Sequence, residues 1–181
     1  MIRPARIAGG LAALALTALT ALPAAAQDAH AGIREEILRQ FDASMRKFEA
    51  LAQAMPESTY GWSPGEGVMP VARVFAHVAR YNYYYPAEGL GTPPPAGVDL
   101  ATLEAITDKE QIVALLARSG EHVRALASQG SDADWAGPAR LYNRDVRRWG
   151  VLLQLVTHMN EHLGQSIAYA RMNGVVPPWS R

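Results

Sequence analysis

The chain has 181 residues, about half of them hydrophobic, with 17 basic and 17 acidic side chains. That suits one ordinary domain with a real core and leaves no basic footprint for nucleic acid. The absence of cysteine excludes disulfides, thiolate zinc sites and cysteine nucleophiles together, so stability must come from packing, helix caps and any bound metal.

Residues 1–26 read as a targeting segment rather than fold. Arg3 and Arg6 precede an apolar run from Ile7 to Leu22, and Pro23-Ala24-Ala25-Ala26 supplies small residues for a cleavage site before Gln27. The run is short and Ala-rich for a membrane span, which takes roughly 20 strongly apolar residues. No cysteine follows the site to carry a lipid. The expected product is an exported domain of residues 27–181, periplasmic or secreted. Removing Arg3 and Arg6 leaves fifteen basic against seventeen acidic residues, a formal charge of −2.

From Gln27 to about Met55, Ile33, Ile37, Phe41, Met45, Phe48, Leu51 and Ala52 recur at three- and four-residue steps. That stripe predicts a long amphipathic helix, with Asp28 as its cap and Pro56 after its end. Glu57–Met69 reads as a loop around Pro64, Gly65 and Gly67, with Tyr60 and Trp62 covering a bundle end. A second stripe of Val71, Val74, Phe75, Val78, Tyr81 and Tyr85 starts with Pro70 at the first helical position and ends before Pro86. The tyrosines of residues 81–85 read either as ordinary packing or as the mouth of a pocket.

Residues 87–106 form a long connection, with a short helical turn within Leu100–Ile106. Such a length can cross the bundle from end to end. Thr107-Asp108-Lys109-Glu110 reads as a capping box for a third helix carrying Ile112, Leu115, Leu116, Val123, Leu126 and Ala127, despite Gly120. Gly130–Leu141 reads as a loop holding Trp135. Asn143 and Asp145 are candidate caps for the last helix, which runs to about Asn173 with Gly174 beyond it. Four long amphipathic helices without strand alternation predict an all-α four-helix bundle.

The chemistry concentrates in Thr157-His158-Met159-Asn160-Glu161-His162-Leu163-Gly164-Gln165. Four residues advance a helix by about 400°, so His158 and His162 share one face, along with Leu155, Met159, Ser166 and Tyr169. One histidine on an apolar stripe is usually a core residue bonded to a carbonyl. Two adjacent ones need two buried partners or one shared ion. His77 lies on the inward stripe of the second helix, and three histidines with an open position are a catalytic type of zinc arrangement. His30 is expected to be solvated, and His122 to be a surface or supporting residue. Glu161 reads as a solvated helix residue or a proton-transfer group. His158-x-x-Glu161-His162 also matches an inverted zincin string, but no Asp or Glu follows Glu161 to complete that site.

His158-Met-Asn-Glu-His162-Leu-Gly164-Gln165, followed by Tyr169-Ala-Arg171-Met-Asn-Gly174-Val-Val-Pro177-Pro178, resembles the last helix of the DinB-like family. Val71-Ala-Arg-Val-Phe-Ala-His77-Val-Ala resembles its second helix, and Trp62-Ser63-Pro64-Gly65 the loop before it. The resemblance spans essentially the whole of residues 27–181. It implies a small bundle of up-down-down-up order, with His77, His158 and His162 as ligands of a divalent ion. Zinc or nickel comes first, then iron or manganese. It also implies a supporting role for Gln165, a homodimer, and an unknown small-molecule substrate on which the ion activates water or a thiol, as in relatives that transfer thiols. A metal-binding module without turnover and a bundle with core histidines stay open beside the enzyme reading.

Overall fold

The computed structural model describes residues 30–180. The expected leader and its cleavage point, and the Asp28 cap, lie outside the described residues. Four long helices carry the fold: α1 Ile33–Ala54, α2 Val71–Leu90, α3 Lys109–Ala127 and α4 Arg148–Met172. Smaller pieces sit between and after them. These are 3-10 turns at Glu57–Thr59, Leu103–Ala105 and Pro178–Ser180, a helical turn Asp132–Trp135, and a hairpin of β1 Pro138–Leu141 and β2 Arg144–Arg147.

The long helices bury most of the stripes their spacing predicts, with Ile33, Tyr81 and His162 partly exposed. On α1 the buried set is Ile37, Phe41, Met45, Phe48, Leu51 and Ala52, with Ser44 beside them; on α3 it includes Ile112, Leu115, Leu116, Val123 and Leu126. α4 packs against α1 and α2, and α3 packs against the same two, so α1 and α2 lie diagonally opposite. Directions follow from end contacts. His30 before α1 meets Trp149 at the start of α4, ring centroids 6.4 Å apart, so α1 and α4 run parallel. Lys109 at the start of α3 donates to the carbonyls of Gln53 and Met55 at the end of α1, at 2.9 and 2.7 Å. Trp62 before α2 packs edge-on against Tyr169 late in α4, at 5.4 Å. The order is therefore up-down-down-up, and residues 91–108 cross the bundle to let α2 and α3 run parallel.

Several boundaries differ from the sequence reading for identifiable reasons. α1 starts at Ile33 behind Gly32 (φ 76°), and the Gly32 N–H finds its acceptor far along the chain, on Asp132 at 3.2 Å. Pro70 is the residue before α2 rather than its first. α2 does not stop before Pro86 but carries it inside the helix and ends at Gly91, φ 66°. An interior proline removes a hydrogen bond and crowds the preceding turn; burial of Tyr85, Pro86 and Gly89 holds the helix together. The α3 cap is Asp108, not Thr107: its carboxylate accepts the Gln111 N–H at 2.8 Å.

Residues 138–147, read as loop and cap, form the hairpin. Tyr142 and Asn143 both adopt positive φ, 52° and 60°, as a two-residue type I′ turn requires. Asn143 is thus a turn residue and Asp145 pairs across the strands with Arg140. Trp135 is buried in its own helical turn and donates to the Gln129 carbonyl at 2.7 Å. The end of α4 follows expectation: Gly174 has φ 73°, and the Val175 N–H reaches the Ala170 carbonyl at 2.8 Å, a Schellman ending.

Candidate metal centre

The antiparallel contact of α2 with α4 brings the three histidines together. His158 and His162 lie one turn apart on α4, with ring centroids 4.7 Å apart. His77 on α2 faces both, at 5.1 and 4.8 Å. One ring nitrogen from each falls within 4.8 Å of the others, so the group could hold a metal ion.

Hydrogen-bond partners on Nδ1 fix two of the ring tautomers. The His77 Nδ1–H donates to Glu104 Oε1 at 2.8 Å, because an ionised carboxylate can only accept. Gln165 accepts from His162 Nδ1 at 2.8 Å and turns its own N–H to the Tyr169 hydroxyl at 2.8 Å. Both rings therefore carry their proton on Nδ1 and leave an Nε2 lone pair. His158 Nε2 stands 3.2 Å from His77 Nε2. Two nitrogens bound tetrahedrally to zinc at roughly 2.0–2.1 Å are about 3.3 Å apart, so this spacing suits a shared ion. The donor set fits a divalent metal, since imidazole suits zinc, nickel and iron.

Burial keeps His158 and His77 in their ligand form. Burial, reinforced by charge repulsion from His162 and His77, pushes His158 down to about 3. Burial also lowers His77, against the pull of Glu104. For Glu104, burial acts to raise the carboxyl, but hydrogen bonds from His77 and Arg73 outweigh it and the net direction is down. A neutral imidazole is the species a metal binds.

Tyr81 forms one wall, its ring 4.3 Å from His158 and 4.6 Å from His77. Tyr85 adds an edge against His158 at 5.6 Å, and its hydroxyl accepts from Tyr142 at 2.7 Å. These two tyrosines of the run belong to the site. Tyr83 faces away and packs on His122, at 5.1 Å.

Not every histidine joins. His122 lines a separate surface recess of about 600 Å³ with Arg118 and Glu121, and its Nε2 is buried without a protein partner. His30 is half-buried beside Trp149 rather than solvated. Glu161 is exposed on α4. The residue that sequence reasoning missed is Glu104, in the 3-10 turn of the long connection. Its only signal was the short turn foreseen within Leu100–Ile106; one acid in a coil has no periodicity to mark its side.

A family model described as the DinB superfamily matches residues 40–166, a span that contains all three histidines, Glu104 and Gln165. No curated protein matches the chain. Among solved structures, a DinB-like protein from Bacillus cereus is similar at TM-score 0.70 and 18% identity, covering 80% of this chain and 95% of its own. A DinB-like protein from Bacillus subtilis is similar at TM-score 0.62 and 19% identity, covering 78% and 94%. A conserved protein from Enterococcus faecalis is similar at TM-score 0.61 and 16% identity, covering 76% and 94%. At these identities the structures speak for the fold.

Proposed function

The chain belongs to the DinB superfamily, and from that premise we propose that it is an exported metal-dependent enzyme whose ion is held by His77, His158 and His162. The observation that carries this is the convergence of three imidazoles from two helices, two of them with Nε2 lone pairs fixed by their Nδ1 partners. A bound ion would supply a lowered pKa to a water or thiol, serving hydrolysis or thiol transfer. The chain's own residues do the remaining work. Tyr81 and Tyr85 shield His158, while the half-buried His77 and His162 leave a side for substrate. Export rests on the leader read in residues 1–26, and fractionation with N-terminal sequencing of the mature chain tests it. A homodimer is carried by family resemblance, and light scattering in solution tests it.

A second reading, a metal-binding module without turnover, is favoured by one feature. The carboxylate that touches the histidines, Glu104, is engaged on the Nδ1 side of His77 and by Arg73, away from the converging Nε2 atoms.

The deciding experiment is elemental analysis of purified and reconstituted protein beside His77→Ala, His158→Ala and His162→Ala. We expect about one equivalent of zinc or nickel per chain, with iron and manganese in the same panel, lost in each variant. No metal in the wild type after reconstitution would overturn the proposal and return the histidines to the bundle core. Metal uptake without turnover on thiol-transfer and hydrolytic substrates would favour the binding module.

A further inference from the structure

Three residues of α2 reach toward the connection between α2 and α3 from one helical face. Arg73 lies four residues before His77 and Arg80 three after, so all three project to the same side. Glu104 meets two of them with different oxygens. Oε1 accepts from His77 Nδ1 at 2.8 Å, and Oε2 accepts from Arg73 Nε at 3.0 Å. Arg80 lies 3.9 Å from Oε1, and its Nε donates to the Leu100 carbonyl at 2.9 Å. The connection is thus pinned beside the histidine at two points.

A solvent-exposed Arg–Glu pair is weakly held and explains little. This one differs: Arg73 is largely exposed, but the Glu104 side chain retains only 19% of its accessible surface. An acid drawn this far from water needs stronger partners than one exposed guanidinium, and the imidazole is the second. The three histidines are also supported unequally. His77 has a carboxylate acceptor and His162 an amide.

We infer that Glu104 is a positioning residue for the metal centre: it fixes His77 in the tautomer that presents Nε2, supports that ring from behind, and is itself oriented by Arg73. A carboxylate behind a metal-bound imidazole orients the ring and strengthens the donor. The assignment rests on the metal reading above. It adds that the long connection, and not the two ligand helices alone, sets the strength of the site.

The test uses the full mature chain and measures zinc affinity by chelator competition for the wild type, Glu104→Ala, Glu104→Gln and His77→Ala. Histidine nitrogen NMR on the metal-free proteins reports the His77 tautomer independently of activity. We expect Glu104→Ala to weaken zinc binding roughly 10–100-fold and to mix the His77 tautomers. Glu104→Gln, whose carbonyl can still accept, should keep the Nδ1–H tautomer and lose less affinity. His77→Ala should lose the site. Melting curves establish that each variant is folded, and the glutamine variant keeps the side-chain volume should alanine loosen the turn. Equal zinc affinity in the wild type and Glu104→Ala would overturn the assignment while leaving the metal reading intact. No zinc binding by the wild type would remove the metal reading itself, and the assignment with it.

Discussion

His162 presents its Nε2 because Gln165, three residues on, accepts from its Nδ1 and is itself oriented by Tyr169. Gln165→Ala is expected to weaken zinc binding about tenfold, whereas Gln165→Glu should keep it, because a carboxylate still accepts from Nδ1 and also from the tyrosine hydroxyl. Chelator competition on both variants decides it, and full affinity in Gln165→Ala would show that packing alone holds the ring. At this scale the sequence is informative where function follows helical spacing. His158 and His162 stand four apart on an apolar stripe, and His77 sits on another, so their meeting could be read. The Gln165 support came from family resemblance. Glu104 was invisible, since its side is set by where a crossing connection lands and not by any repeat.

The ligand helices meet through small residues as well as through histidines. A Cβ on Gly89 of α2 would sit 2.8 Å from Val151 Cγ2 of α4. Valine in a helix is held to one rotamer, and Val151 is fully buried, so it cannot swing aside. Alanine for glycine within a helix brings back about 1 kcal/mol of propensity, but overpacking a core typically costs about 1–3 kcal/mol. Gly89→Ala should therefore destabilise and push α2 from α4, weakening zinc binding, and Val151→Ala in the same chain should recover much of both. Gly120 of α3 makes the contrast. Its added Cβ would meet Met45 Cγ at 3.1 Å, and an unbranched methionine can give by a few tenths of an ångström. Gly120→Ala should be nearly neutral. Denaturant unfolding of the four proteins tests the set; a Gly89→Ala chain as stable as the wild type would show that the helices tolerate a wider spacing. The element boundaries hardest to read were those where tertiary contact overrode local signals. Pro86 sits inside α2 because its surroundings are buried, and the strands at Pro138–Leu141 and Arg144–Arg147 are too short to show alternation.

At the scale of the whole molecule, the length of the second connection allowed parallel α2 and α3, family resemblance implied that order, and the end contacts agree. The same arrangement buries imidazoles between helices, which makes folding sensitive to protons. In the unfolded chain a histidine titrates near 6.5. In the folded, metal-free protein burial, with repulsion from His162 and His77, holds His158 at about 3, and burial also lowers His77 and His122. Protons therefore bind the unfolded chain more readily. The stability these groups contribute is whole above about pH 6.5 and declines as pH falls from there toward the folded value. With chelator present, Tm should be level above about pH 6.5 and drop between about 6.5 and 5, above the range in which ordinary carboxylates titrate. His158→Gln, which has no proton to take up, should flatten that drop. Zinc at a hundredfold excess over its Kd adds about 2.7 kcal/mol to the folded state, so chelation should lower Tm at pH 7.5 in the wild type and leave His77→Ala unmoved. A metal-free Tm that stays level down to pH 5 would mean that the folded and unfolded chains take up protons alike, and that burial does not hold His158 neutral in acid.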